Sequence, residues 1–243
     1  MNTVVTTFSP AGWDSYGKRF VDSFLACWPD EWTLHCFLEG QHIPAGYPKV
    51  AWHDLENDPE HEAFVKRWAG PEWNSPTDFN EMSVRFSHKV FAVTSDGLPR
   101  RGWRVWCDAD VLFTRDVTAF LPAVFPEGKS LCYLGRKGQM RPVQPAYTEC
   151  GFVGYNLVHT GVLPMLSAMR RIYTSGTLFT LGRHNWHDSY VFDLCRDNSG
   201  LSPMSLHNLS ASAKGMHVWP QTVLAQFSQH QKGPRRKQEV YGS

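Results

Sequence analysis

Two aspartates one residue apart, Asp108 and Asp110, follow the apolar run that begins at Trp103 and continues Arg-Val-Trp-Cys, with Val-Leu-Phe-Thr114 behind them. Two ionised carboxylates this close repel each other unless a cation or a set of donors lies between them. Hard divalent ions such as Mn²⁺ or Mg²⁺ take oxygen ligands, and a diphosphate can complete their coordination. The pair therefore points to a metal–diphosphate site. Asp-x-Asp also occurs as a turn or helix cap, where Asp serves local hydrogen bonds, so the neighbouring elements decide. Val105, Trp106 and Cys107 read as the end of a strand buried on both faces. Both aspartates then fall just past its carboxyl end, where open α/β sheets bind ligands.

The elements that must position this pair follow from periodicity. Residues 3–8 are rich in β-branched side chains and form a first strand. A loop at Ser9-Pro10-Ala11-Gly12 leads to a helix carrying Trp13, Phe20, Val21, Phe24, Leu25 and Trp28, which Pro29 ends. Residues 32–38 and 49–52 are further strands, a βαβ opening that implies a parallel sheet. Residues 53–75 are charged and interrupted by Pro59, Gly70 and Pro71, which predicts loops with one short helix. Asp78 and Glu81 suggest a capping box for a helix bearing Phe79, Met82, Phe86, Val90 and Val93. Arg85, His88 and Lys89 share another face of that helix, either as a solvated basic face or turned toward phosphates. Residues 131–134 and 152–158 are strand-like, 163–173 and 188–196 helical, 135–145 a polar basic loop, and the tail from 226 shows no periodicity. With no repeat or linker, one domain over 1–243 is expected, its nucleotide-binding half about 1–115 and its acceptor and sugar half about 116–243.

The chain has 243 residues, 42% hydrophobic and 14% aromatic, with a net charge of +1. This is a globular composition, not a disordered one, and it leaves any polyanion contact to local patches such as Lys232, Arg235, Arg236 and Lys237. The six cysteines are scattered without a Cys-x-x-Cys pair, as expected of free thiols in a reducing compartment. The start lacks a basic region followed by an apolar core, and no apolar run approaches the ~20 residues of a spanning helix. A cytoplasmic protein without a membrane span is the expectation, in the host cytoplasm if the source is viral.

The aspartate pair after a strand, followed by Val-Leu-Phe, resembles the Asp-x-Asp signature of GT-A nucleotide-sugar glycosyltransferases. The order of elements resembles glycosyltransferase family eight, the glycogenin and galactosyltransferase-like enzymes, including a phage-type member. That family carries His-x-x-Gly-x-x-Lys near its carboxyl end. Here His230-Gln-Lys232-Gly233-Pro-Arg-Arg-Lys237 keeps the histidine, the glycine and a basic residue, with the last lysine one place late and Lys-Pro-Trp absent. Glu149-Cys-Gly151-Phe-Val-Gly-Tyr-Asn156 resembles the family's strand beside the donor sugar, with Cys150 where a polar residue is usual. His187-Asp188-Ser189 stands where the family has Asp-Gln, serine replacing glutamine.

The resemblance implies a Rossmann-like GT-A domain, a mixed, mostly parallel sheet flanked by helices. It implies Asp108, Asp110 and His230 as ligands of Mn²⁺ (or Mg²⁺). Thr6 and Thr7 would line the nucleotide pocket, Arg85 and Lys89 would face the phosphates, and Gly151 and Gly233 would contact the donor. Asp188 would orient the donor sugar or acceptor hydroxyl, and Lys232 or Lys237 would sit on the β-phosphate. The implied reaction moves a sugar from a nucleotide-sugar donor, expected to be a UDP-sugar, to an acceptor hydroxyl with retention. The acceptor stays open between a glycan or lipid-linked sugar and DNA. For DNA, the basic residues Arg136, Lys137 and Arg141 would meet phosphates, and Trp68 and Trp73 would stack on a flipped hydroxymethylated pyrimidine. Two other classes stay open: a GT-A-like module that binds nucleotide or glycan without turnover, and a nucleotidyltransferase, although Ser9-Pro10-Ala11-Gly12-Trp13 is not the Gly-rich run that would need.

Overall fold

The structure, a computed structural model, describes residues 1–40, 43–136, 146–181 and 184–231. The chain opens with β1 (Asn2–Phe8), one turn of helix α1 (Pro10–Gly12), a π-helical stretch Trp13–Gly17 and α2 (Lys18–Cys27). It continues through β2 (Trp32–Leu38), β3 (Val50–Asp54), α3 (Pro59–Trp68) and α4 (Ser83–Val93) to β4 (Trp103–Cys107). Then come β5 (Val111–Phe113), α5 (Leu121–Val124), β6 (Leu131–Tyr133), β7 (Phe152–Asn156), α6 (Val162–Thr174), α7 (Leu178–Leu181) and α8 (Asp188–Asp197). β8 (Leu206–Asn208) and β9 (Ser228–His230) are the last elements among the described residues.

Seven strands form one sheet in the order β3-β2-β1-β4-β7-β6-β8. β1 runs parallel to β2 and β4, β2 to β3, and β6 to β8, while β7 lies antiparallel between β4 and β6. The sheet is therefore mixed and mostly parallel, as expected. Strand alternation divides the core. Val4, Phe8, Val105 and Cys107 pack under α2 with Phe20, Val21 and Phe24. Val5, Trp106 and Val153 pack on the other face against Val90, Phe91 and Val93 of α4, Met165 of α6 and Phe192 of α8. All six cysteines are free, and all but Cys27 are buried.

The one short helix expected within residues 53–75 is α3; Pro59 occupies its first turn, where its missing N–H costs nothing, and Asp58 caps that turn through the N–H groups of Glu60 and His61. One local expectation changes. The Asp78–Glu81 capping box does not form. Asp78 caps a separate 3₁₀ turn by accepting the N–H of Asn80, and Glu81 pairs with His184 at 2.6 Å. Ser75 N–H donates to the carbonyl of Glu81, which holds the chain in a loop until α4 begins at Ser83. There the side chain of Asn74 accepts the N–H of Val84 and supplies the missing cap.

Unlike β6, the three-residue strands β5, β8 and β9 carry no readable periodicity. β5 and β9 form a separate antiparallel pair in the register Val111 to His230 and Phe113 to Ser228. This pair returns the end of the described chain to the carboxyl edge of β4.

Candidate metal and nucleotide site

Asp108 and Asp110 lie in the tight connection between β4 and β5. The N–H of Asp108 donates to the carbonyl of Gly151 at 2.9 Å, and the N–H of Val111 donates back to the carbonyl of Asp108 at 3.1 Å. β9 places the imidazole of His230 opposite Val111, and the N–H of Gln231 donates to the carbonyl of Asp110 at 2.9 Å. As a result His230 Nε2 lies 3.1 Å from Asp110 Oδ1 and 3.5 Å from Asp108 Oδ2. One ligand atom from each of the three residues lies within 4.8 Å of the others.

The donor set suits a divalent cation of the Mn²⁺ or Mg²⁺ kind, two hard carboxylates and one borderline imidazole. The orientation suits it too, because the inner nitrogen of a ring buried against Trp219, 4.8 Å away between centroids, faces both acids. Electrostatics agree. Burial would lower the His230 pKa, but the neighbouring carboxylates of Asp108, Asp110 and Glu149 outweigh it and push it up to about 10. Burial works to raise Asp108, yet Lys89, His230 and the indole N–H of Trp106 hold it below the ordinary carboxylate range. That indole donates to Asp108 Oδ1 at 2.7 Å. A place that attracts this much positive charge is one where a cation is favoured.

Lys89 reaches in from α4. Its Nζ lies 2.7 Å from Asp188 Oδ2 and 3.5 Å from Asp108 Oδ1, and it donates to the carbonyl of Cys150. Burial would lower its pKa, and the two aspartates reverse that and hold it above the usual lysine value. Asp188 opens α8 behind the cap residue His187, whose Nδ1 accepts the N–H of Tyr190. The single ammonium thus joins the first aspartate of the pair to the acid near the carboxyl half.

Gly151 belongs here for steric reasons. A Cβ on it would come within 2.4 Å of His230 Cε1 and 3.2 Å of Asp108 Oδ2. Thr7, at the end of β1, donates to Glu39 Oε1 at 2.7 Å, and His88 Nδ1 lies 3.1 Å from Glu39 Oε2. Thr6 does not line an open pocket with its side chain. It is fully buried, because successive strand residues point to opposite faces and it shares the α2 side with Val4 and Phe8. Arg85 is exposed on α4. Its charge, with those of Asp110, Glu39 and Asp108, acts on the Tyr16 phenol, whose pKa burial and these acids raise. Lys232, Gly233 and Lys237 lie outside the described residues, as do Lys137 and Arg141.

Tyr16, Glu39 and Glu149 were not singled out from the sequence. Glu39 directly follows the carboxyl end of β2 and could have been found by the rule that located Asp108. Arg136 is bound to Glu149 at 3.0 Å with its side chain largely buried. Trp68 and Trp73 stand 5.1 Å apart in an aromatic cluster with Phe179, and Trp186 packs on Trp73 at 6.2 Å. The two indoles anchor the loop between α3 and α4 on α7.

No protein-family model matches this sequence, and no curated protein does. Solved structures match it in fold. Mouse xyloside xylosyltransferase 1 in its apo form superposes with a TM-score of 0.54 at 13% identity, over 93% of this chain and 91% of that one. An active-site mutant of LgtC gives 0.54 at 14% identity, over 100% and 95%. The bifunctional glycosyltransferase WbbM gives 0.50 at 11% identity, over 96% of this chain and 46% of that one. These neighbours are glycosyltransferases of GT-A type, and the chain has that fold. No helix among the described residues is long and apolar enough to cross a membrane.

Proposed function

We propose that this chain is a metal-dependent glycosyltransferase of the family-eight kind, one domain over 1–243, that moves a sugar from a UDP-sugar to an acceptor hydroxyl with retention. The observation that carries the reading is the convergence of Asp108, Asp110 and His230, with ligand atoms within 4.8 Å, at the carboxyl edge of a GT-A sheet. A Mn²⁺ or Mg²⁺ ion held there would serve as a Lewis acid for the departing diphosphate.

The residues of the chain supply the rest. Thr7, with Glu39 beside it, borders the nucleoside end. Arg85 at the rim and Lys89 beneath the acids provide positive charge facing the phosphates, and preorganised charge of this kind needs no rearrangement as the leaving group develops. Gly151 leaves room for the donor. Asp188, held by Lys89, orients the donor sugar or the acceptor hydroxyl, and Lys232 and Gly233 complete the phosphate end. The acceptor is a hydroxyl of a glycan or lipid-linked sugar. Arg136 is engaged by Glu149, and Trp68 and Trp73 are engaged by packing, which removes part of what favoured a DNA acceptor.

The test is release of UDP from UDP-sugars by the purified chain with Mn²⁺. Release that disappears with EDTA and in Asp110→Ala supports the transferase. Binding of UDP-sugar without release under any acceptor, including hydroxymethylated DNA, would leave a binding module instead.

A further inference from the structure

Behind His230, away from the two aspartates, lies a third acid. Glu149 is 2% exposed, and each of its oxygens is committed. Oε2 accepts the N–H of Val218 at 2.9 Å and faces Arg136 Nη2 at 3.0 Å. Oε1 lies 2.9 Å from His217 Nδ1 and 3.5 Å from His230 Nδ1. The ring of His230 thus lies between carboxylates, with Glu149 facing Nδ1 and the Asp108–Asp110 pair facing Nε2.

Resting on the metal-site reading above, we propose that Glu149 is the positioning residue of the metal-binding imidazole. An imidazole binds a cation through the lone pair of one nitrogen, so the proton of the neutral ring must sit on the other. Nδ1 is buried without a hydrogen-bond partner among the described residues, and Glu149 Oε1, 3.5 Å away, is the carboxylate oxygen that faces it. A carboxylate there favours the proton on Nδ1, leaves the Nε2 lone pair pointing between Asp108 and Asp110, and raises the basicity of that nitrogen. The backbone prepares the acceptor: the N–H of Glu149 donates to the carbonyl of Leu134 at 2.9 Å, and Gly151, two residues on, accepts from Asp108. The same segment therefore sets the acid in front of the ring and the acid behind it.

A plainer role is neutralisation of the buried Arg136, because removing one partner of a buried ion pair is strongly destabilising whatever the other partner does. The experiment separates the two roles. Mn²⁺ affinity, measured by calorimetry or electron paramagnetic resonance, and thermal stability are compared in the native chain, Glu149→Gln, Arg136→Gln and Asp110→Ala. The expected result is a rise in the Mn²⁺ dissociation constant of about ten- to a hundred-fold in Glu149→Gln, with Arg136→Gln destabilised but binding Mn²⁺ as the native chain does. Equal effects of both substitutions on affinity, or none from Glu149→Gln, overturn the proposal.

A measurement on the native chain guards against a variant that does not fold. With Mg²⁺ bound, nitrogen-detected resonances of His230 are expected to show the proton on Nδ1, and a proton on Nε2 overturns the proposal. Loss of Mn²⁺ binding in Asp110→Ala with no effect in Glu149→Gln sinks this inference alone. Native protein that binds no Mn²⁺ sinks the metal reading and this inference with it.

Discussion

The Cα hydrogen of Gly151 lies against His230 where any side chain would stand, since a Cβ built there meets Cε1 of the ring at 2.4 Å. The start of β7 and the imidazole of His230 are therefore coupled by contact. Gly151→Ala must displace the imidazole or the β4–β7 edge, and overpacking of this kind costs about 1–3 kcal/mol. The expected outcome is a modest loss of thermal stability with a disproportionate loss of Mn²⁺ affinity, read by titration. A variant that keeps native affinity would show that the ring has another place to go, and that its position is not what holds a metal.

Lys89 is the cation between two acids whose partners lie far apart in sequence, at 2.7 Å from Asp188 and 3.5 Å from Asp108. Replacing it with methionine keeps the stem and removes the charge, leaving Asp188 buried without that ammonium. Breaking a buried pair in this way costs about 3–5 kcal/mol. Lys89→Met is expected to unfold at markedly lower urea concentration. The double variant Lys89→Met with Asp188→Asn should recover a large part of that loss, because the stranded charge is gone. Additive losses in the double variant would refute the pairing.

Much of this site is legible in the sequence. A continuous apolar run ends at Asp108 and Asp110, and β4 ends at Cys107. The βαβ opening and the helix of Lys89 followed from spacing that a buried face enforces. His230 is reached only through resemblance, since β9, Ser-Gln-His, is three residues long with no apolar side chain, unlike the equally short but apolar β6. Glu149 carries no sequence signal of its own, because its surroundings depend on Arg136, His217, Val218 and His230 meeting around it. The capping box failed for a related reason: Asp78 and Glu81 had the right spacing, but Ser75 and His184 took their hydrogen bonds.

Metal binding should expel a proton. With its pKa pushed up to about 10 by the three surrounding acids, the His230 ring carries a proton at neutral pH in the absence of metal, and a cation can use Nε2 only when that proton leaves. Mn²⁺ binding is expected to release close to one proton and to tighten about tenfold per unit as pH rises through neutrality. Calorimetric titrations in two buffers of different ionisation enthalpy measure this directly. A binding heat that does not depend on the buffer would rule out His230 as the proton source.

Between about pH 6.5 and 4, stability is expected to follow a different set of histidines, His35 on β2, His53 on β3 and His61 on α3. His35 Nδ1 lies 2.9 Å from His53 Nε2, and His61 packs on Phe91 with 5.2 Å between ring centroids. Burial lowers the pKa of His35 and of His61 to about 4, with His53 adding to the first and His88 to the second. In the unfolded chain these imidazoles take protons near about 6.5. Between that value and 4 the unfolded state binds more protons than the folded one, so their contribution is fully present above 6.5 and is lost as pH falls. The limit is on the order of 3 kcal/mol for each ring. His230 runs the opposite way: its contribution is complete below about 6.5 and is lost as pH rises toward about 10, so it adds no slope on the acid side. Urea unfolding near neutral pH and near about pH 5 should show a clear fall in midpoint. His61→Leu, which cannot take the proton, should show a smaller fall, and the same fall in both proteins would mean that the buried ring does not titrate in this window.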